Sequence, residues 1–378
     1  MSMTRQQVCE LTSAKLKSAA PSLKDTKSLV GLDGFVDNII AVVDKRQDAT
    51  HYDKVKTIDQ FGKKICNAAG QSSNYELVVT QQKLGGNGPI MANALASFGM
   101  SVTYVGNLGF PSINPVFDEF AKRATVISIA EPGYTDALEF DDGKLMLGKH
   151  QSLGDVTWDN ILARVGRDKF KQLLSEAKLI GMVNWTMLPF MSRIWAKLLD
   201  EVIPNMERHS RKLFVDLADP EKRTHEDILE ALKLLSRFQD QVDVILGLNL
   251  KEAIEVADVL GLPGQDDPEK HIEAMAVAIR KELNLHCVVI HPRRGAAAAT
   301  AEESAIFQGP FVQQPKISTG AGDHFNAGFC LGRVIGLSLI ESLCSGVGTS
   351  GYYVRTAISP SAVELAEFIA ELPPPQSD

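Results

Sequence analysis

The chain has 378 residues, 44% of them hydrophobic and 23% charged, which is the make-up of an ordinary globular protein able to bury a large core, as one domain with an appendage or as two. A formal net charge of −8 argues against a broad Lys/Arg face and therefore against nucleic acid as a partner. Five scattered cysteines with no CxxC argue against a disulfide framework or a thiolate metal site. The absence of any apolar run near eighteen residues, and of an apolar leader, argues against membrane spanning and export, so a cytoplasmic protein is expected.

In chain order, "KSLVGLDGF" is the first of seven short Val/Ile/Leu-rich runs that read as strands buried on both faces; "VTYVGNLG", "ATVISIA", "AKLIGMVNW", "KLFVDLAD", "VDVILGLN" and "LHCVVIHP" follow. Between them "GPIMANALASFG", "HEDILEALKLLSRF" and "PEKHIEAMAVAIRKELN" repeat apolar residues at helical spacing. The alternation predicts a three-layer α/β/α protein with a mainly parallel sheet. Three segments break the rhythm: "NIIAVVDK", "YELVVTQQK" and "DALEFDDGKLMLGKH" alternate apolar and polar residues, the last around a "DDGK" turn. They read as a small half-exposed antiparallel sheet inserted as a lid, with its segments at about 36–45, 75–84 and 134–150 of a single domain spanning 1–378.

Near the C-terminus, "ISTGAGDHFNAGF" sets a Gly-Ala-Gly turn and an acid ahead of a helix. In a parallel α/β protein, ligands collect at strand C-termini, where helix N-termini offer unpaired amides and a positive dipole. Gly320, Ala321 and Gly322 let the backbone approach an anion closely, as a nest of amides. Asp323 would repel that anion unless it orients or deprotonates a hydroxyl attacking phosphorus, with the helix dipole lowering its basicity. Taken alone, the motif reads equally well as a turn with an Asp helix cap. A dinucleotide motif fails on spacing, since its third glycine would fall at Phe325.

Two further stretches carry related chemistry. "KLGGNGPIMANAL" places Gly86 and Asn87 before an Ala-rich helix, where the backbone and an amide side chain can meet a polar ligand. "LGLNLKEAIEVA" ends a strand at Asn249 and puts Glu252 on the next helical turn, an amide and a carboxylate that beside phosphates would hold hydrated Mg²⁺. None of the eight histidines has metal-ligand spacing, and His324, at a helix start, reads as facing solvent. Trp158, Trp185 and Trp195 read as packing.

From "VGLDGFVDNII" to "GYYVRTAISP" the order of these motifs resembles the ribokinase-like (PfkB) carbohydrate kinase family. The resemblance implies transfer of a nucleotide's terminal phosphoryl group, from ATP or ADP, to a hydroxyl of a small sugar or polyol, with Mg²⁺. It implies Asp323 as base and Gly320, Ala321 and Gly322 as anion hole. Gly86 and Asn87 would contact the sugar, Asn249 and Glu252 the metal and phosphates, and Gly295 in "HPRRGAAAA" the nucleotide. Asp216 in "LFVDLADPEKR" would face the phosphates. For the early sugar-binding Asp, "GLDGFVD" offers both Asp33 and Asp37; Asp37 is favoured because it leads directly into the lid segment. The chain departs from the family at Ile317, where an Asp usually supports a monovalent cation, so potassium activation is in doubt, and also at Ile90 and His291. A nucleoside kinase of this fold and a non-catalytic sugar- or nucleotide-binding protein are the alternatives. A homodimer paired through the lids also fits the family pattern.

Overall fold

The computed structural model describes residues 3–207 and 210–375. Its strands in chain order are β1 (Lys27–Leu32), β2 (Phe35–Arg46), β3 (Tyr52–Lys54), β4 (Leu77–Gly85), β5 (Ser101–Gly106), β6 (Thr125–Ser128), β7 (Gly133–Phe140), β8 (Gly143–Lys149), β9 (Leu179–Val183), β10 (Lys212–Asp216), β11 (Asp243–Leu248), β12 (Cys287–Ile290), β13 (Gly295–Ala299) and β14 (Ser304–Gln308).

The larger sheet runs β14-β13-β12-β11-β10-β9-β1-β5-β6. From β12 to β6 every pairing is parallel, and these are the seven Val/Ile/Leu-rich runs of the sequence. The reason is burial on both faces: β9 is buried at every residue, and β1 and β11 at all but their first. One face packs against an apolar cluster containing Trp158, Trp185 and Trp195, the other against a cluster that includes Phe214, Phe325 and Phe329. The antiparallel edge strand β14, "SAIFQ", was not legible in the sequence because its face is only half covered.

The smaller sheet has the order β4-β2-β7-β8, with β3 on the distal part of β2, and it is mixed rather than antiparallel as expected, since β2 and β7 run parallel. Only Asp33 and Gly34 separate β1 in one sheet from β2 in the other. One face of the smaller sheet is closed by the Ile58–Asn67 helix, whose Phe61 packs with Ile40, Val42, Leu138 and Phe140. That helix was not anticipated.

Candidate active site

Five neighbouring strands of the larger sheet deliver a polar residue at or directly after their C-terminal ends: His291 after β12, Asn249 after β11, Asp216 closing β10, Asn184 after β9 and Asp33 after β1. All but Asp33 line cavities on that edge. The clustering follows from parallel strands ending together, where helix N-termini begin.

The Ala321–Val334 helix points its first turn into this edge. Gly320 is its N-cap at φ 86°, in the left-handed region, and a Cβ there would stand 3.3 Å from Ile90 and from the Tyr353 hydroxyl, so glycine alone fits without strain. The Ala321 amide turns back onto the Ser318 carbonyl at 3.1 Å. Gly322, at the second helical position, has no acceptor within its own helix and faces the cavities. Asp323, 7% exposed, accepts a hydrogen bond from Asn87 Nδ2 on Oδ1 at 2.9 Å. Burial pushes its pKa up to about 8, against the lowering pull of Asn87, with Asp33 and Glu252 adding to the rise. Loss of hydration thus works against the lowering of basicity expected from the helix dipole.

Two more buried carboxylates face it. Asp216 accepts from Asn326 Nδ2 at 2.8 Å and from the Ala218 amide; burial and then the charge of Asp323 raise it to about 7. Glu252 is raised to about 8 by burial and then by Asp216. The Asn249–Glu252 pair forms a reciprocal helix capping box: Asn249 Oδ1 accepts from the Glu252 amide at 3.0 Å, and Glu252 Oε2 from the Asn249 amide at 2.8 Å. Glu252 Oε1 accepts from Asp219 N at 3.0 Å. Ala218 and Asp219 are both left-handed, at φ 60° and 57°, an uncommon pairing for non-glycine residues, and that turn is what aims one amide at Asp216 and the next at Glu252.

These oxygens suit a hard divalent cation: three buried carboxylates repel one another, and no cationic side chain is among the causes that shift them. Among the described residues no three His, Cys, Asp or Glu side chains converge closely enough to cage a metal alone. A Mg²⁺ bound here would therefore have to keep waters and share phosphate oxygens.

Two cavities meet at this point. One, of about 430 Å³, is an apolar slot walled by Pro310, Phe311, Val347 and Val354, with Gly295 and Arg293 at its rim. The other, of about 440 Å³, is polar and lined by Asp37, Asn87, Thr135, His150, Asn184 and Asp323, among others. Asn249, His291 and Gly322 border both.

The structure thus gathers Asp37, Gly86, Asn87, Asn249, Glu252, Gly320, Gly322 and Asp323 around the polar cavity and Ala321 and Gly295 around the apolar one. Asp33 lines neither. It is wholly buried, with Oδ1 accepting from Gly88 N at 2.9 Å, Oδ2 from Asn184 Nδ2 at 2.8 Å, and its carbonyl from the Tyr104 hydroxyl. Its carboxylate is held by the frame, which favours Asp37, open to the polar cavity, as the candidate sugar contact of the two. Gly86, at φ 97°, is forced by the same carboxylate, which would lie 2.8 Å from any Cβ placed there. His324 is 2% exposed and does not face solvent. Asn184, Thr135 and His150 were missed. Asn184 carried a signal, the strand-ending polar residue shared with Asp216 and Asn249; Thr135 and His150 lie on or beside strands of the smaller sheet, and only the sheet pairing brings them near Asp37.

A family model for prokaryotic ketohexokinase matches residues 6–372. A ketohexokinase of Haloferax volcanii is 31% identical over 342 residues, covering 90% of each chain. Among solved structures, a carbohydrate kinase from Agrobacterium tumefaciens aligns with TM-score 0.63 at 17% identity, over 93% of this chain and 98% of that one. An Arabidopsis thaliana ribokinase complexed with ribose and ATP aligns with TM-score 0.62 at 15% identity, over 91% and 98%. These structural likenesses establish a ribokinase-like fold. No helix among the described residues is long and apolar enough to cross a membrane.

Proposed function

The chain belongs to the prokaryotic ketohexokinase family and is a sugar kinase, and from that premise we propose that it transfers the terminal phosphoryl group of ATP to a hydroxyl of a ketohexose held in the polar cavity. The observation that carries this reading is the position of Asp323 in the polar cavity, hydrogen-bonded by Asn87 and next to Gly322, which borders both cavities.

In this reading the apolar slot takes the nucleotide base, with Gly295 beside it, and Asp37, Asn87, Thr135 and Asn184 supply hydrogen bonds that fix the sugar. Asp323 orients the attacking hydroxyl and takes its proton late; burial favours its protonated form and so strengthens it as an acceptor. The Gly322 amide at the start of the helix faces the charge spread over the migrating group. Mg²⁺, held through water by Glu252 and Asn249 with Asp216 nearby, would neutralise phosphate charge. Closure of the smaller sheet over the sugar would exclude water and limit nucleotide hydrolysis. Its edge strands β4 and β8 expose Leu77, Val79, Met146 and Leu147, which favours pairing with a second copy, a state that light scattering on the eluted protein would reveal.

The test is a mass-spectrometric panel of ketohexoses, aldoses, nucleosides and polyols with ATP and Mg²⁺. Phosphorylation concentrated on a ketohexose is expected; turnover confined to nucleosides, or none on any acceptor, overturns the proposal.

A further inference from the structure

A hydrogen-bonded chain of side chains runs beside the Gly320–Gly322 turn, along a further cavity that Asp37 also lines. His324 Nδ1 lies 2.8 Å from the Gly320 carbonyl, which also accepts the His324 amide at 3.0 Å. His324 Nε2 lies 2.8 Å from Ser359 Oγ, and Asn93 Nδ2 donates to that hydroxyl oxygen at 3.3 Å. A carbonyl oxygen can only accept, so the proton sits on Nδ1. The imidazole is kept neutral by burial, which draws its pKa down to about 4, and Nε2 therefore accepts from the Ser359 hydroxyl. Tyr353 stacks on the same ring, with centroids 3.5 Å apart and planes 12° from parallel, and its hydroxyl donates to the Thr319 carbonyl at 3.1 Å.

Two consecutive carbonyls entering the turn, those of Thr319 and Gly320, are thus each held by a side chain. A peptide unit is a rigid plane, so pinning its carbonyl also sets the direction of the following amide. The need is physical: a Gly-Ala-Gly turn has unusual conformational freedom, whereas amides stabilise developing charge only if they are already aimed when it forms. We infer that Asn93, Ser359, His324 and Tyr353 are positioning residues that fix the Thr319–Gly320 and Gly320–Ala321 peptide planes and so set the entry of the turn that presents the Gly322 amide to the phosphoryl group, an inference that rests on reading this turn as the phosphoryl site. The Asn87–Ser97 helix then serves both halves of the chemistry. Asn87 at its start holds the base, and Asn93 on its second turn anchors the relay beside the turn.

The experiment compares kcat, both KM values and Tm for Ser359→Ala, Tyr353→Phe, His324→Ala and His324→Asn. Emptying the His324 site also removes core volume, so Ser359→Ala and Tyr353→Phe, which leave the ring in place, are decisive. Each is expected to lower kcat roughly threefold to tenfold and His324→Ala roughly a hundredfold, with KM for sugar and nucleotide within about threefold. His324→Asn, whose side-chain nitrogen can replace Nδ1, should recover most of that loss. Full kcat in Ser359→Ala and Tyr353→Phe, or losses that follow Tm with no recovery in His324→Asn, would overturn the relay alone. A wild-type protein with no turnover on any sugar overturns the functional reading and the relay with it.

Discussion

Asn87 Nδ2 donates to Asp323 Oδ1 at 2.9 Å, joining the start of the Asn87–Ser97 helix, which follows β4 of the smaller sheet, to the first turn of a helix 236 positions later. One amide therefore holds the candidate base toward the polar cavity.

Asp323→Asn is expected to lower kcat roughly a thousandfold while nucleotide affinity, read by calorimetry, changes less than about threefold. The Asn87 hydrogen bond lowers the pKa of Asp323, so its removal raises it. Asn87→Ala should accordingly move the acid limb of the kcat/KM profile for sugar to higher pH; an unmoved limb would show that Asn87 does not act through the base.

Asp37 and Asp33 are separable by what each mutation damages. Asp37, with its Thr135 hydrogen bond, opens on the polar cavity. Asp37→Ala should cut kcat/KM for sugar roughly a hundredfold with little change in Tm. Asp33→Ala strands the Gly88 amide and the Asn184 side chain in the interior and should cost roughly 2–4 kcal/mol in urea unfolding. The reverse pattern would favour Asp33 as the sugar ligand.

The carboxylates of Asp216, Glu252 and Asp323, with folded pKa values of about 7, 8 and 8, give the metal-free protein a definite pH response. Unfolded, such groups titrate near pH ~4. Between these values the folded chain holds protons that the unfolded chain has released, so stability falls as pH rises through this window and levels off above it. Thermal melts in EDTA should show that fall, and Asp216→Asn should blunt it. Mg²⁺ competes with the same protons, so it should raise Tm more at alkaline than at acidic pH; an equal shift at both would argue against binding by these groups.

Ile317 places hydrocarbon at the position where the family resemblance implies an Asp supporting a monovalent cation. Turnover is expected to be the same in potassium, sodium and tetramethylammonium buffers of equal ionic strength. Selective activation by potassium would reveal a cation site built from other groups.

The seven parallel strands were legible because burial on both faces demands unbroken apolar runs. The Gly-rich turns before helices were legible because close backbone approach demands glycine. What chain order left open is who faces whom. Asp33 and Asp37 sit four positions apart in one motif, yet one is sealed beneath Gly88 and Asn184 and the other opens on a cavity, since the chain crosses from one sheet to the other between them. His324 looked like a surface residue at a helix start, because nothing near it in sequence announces Ser359 or Tyr353 closing over it. Local residue chemistry determined where strands end and turns can approach a ligand. Sheet order and helix rotation, set by the packing of distant segments, decided which side chains meet there.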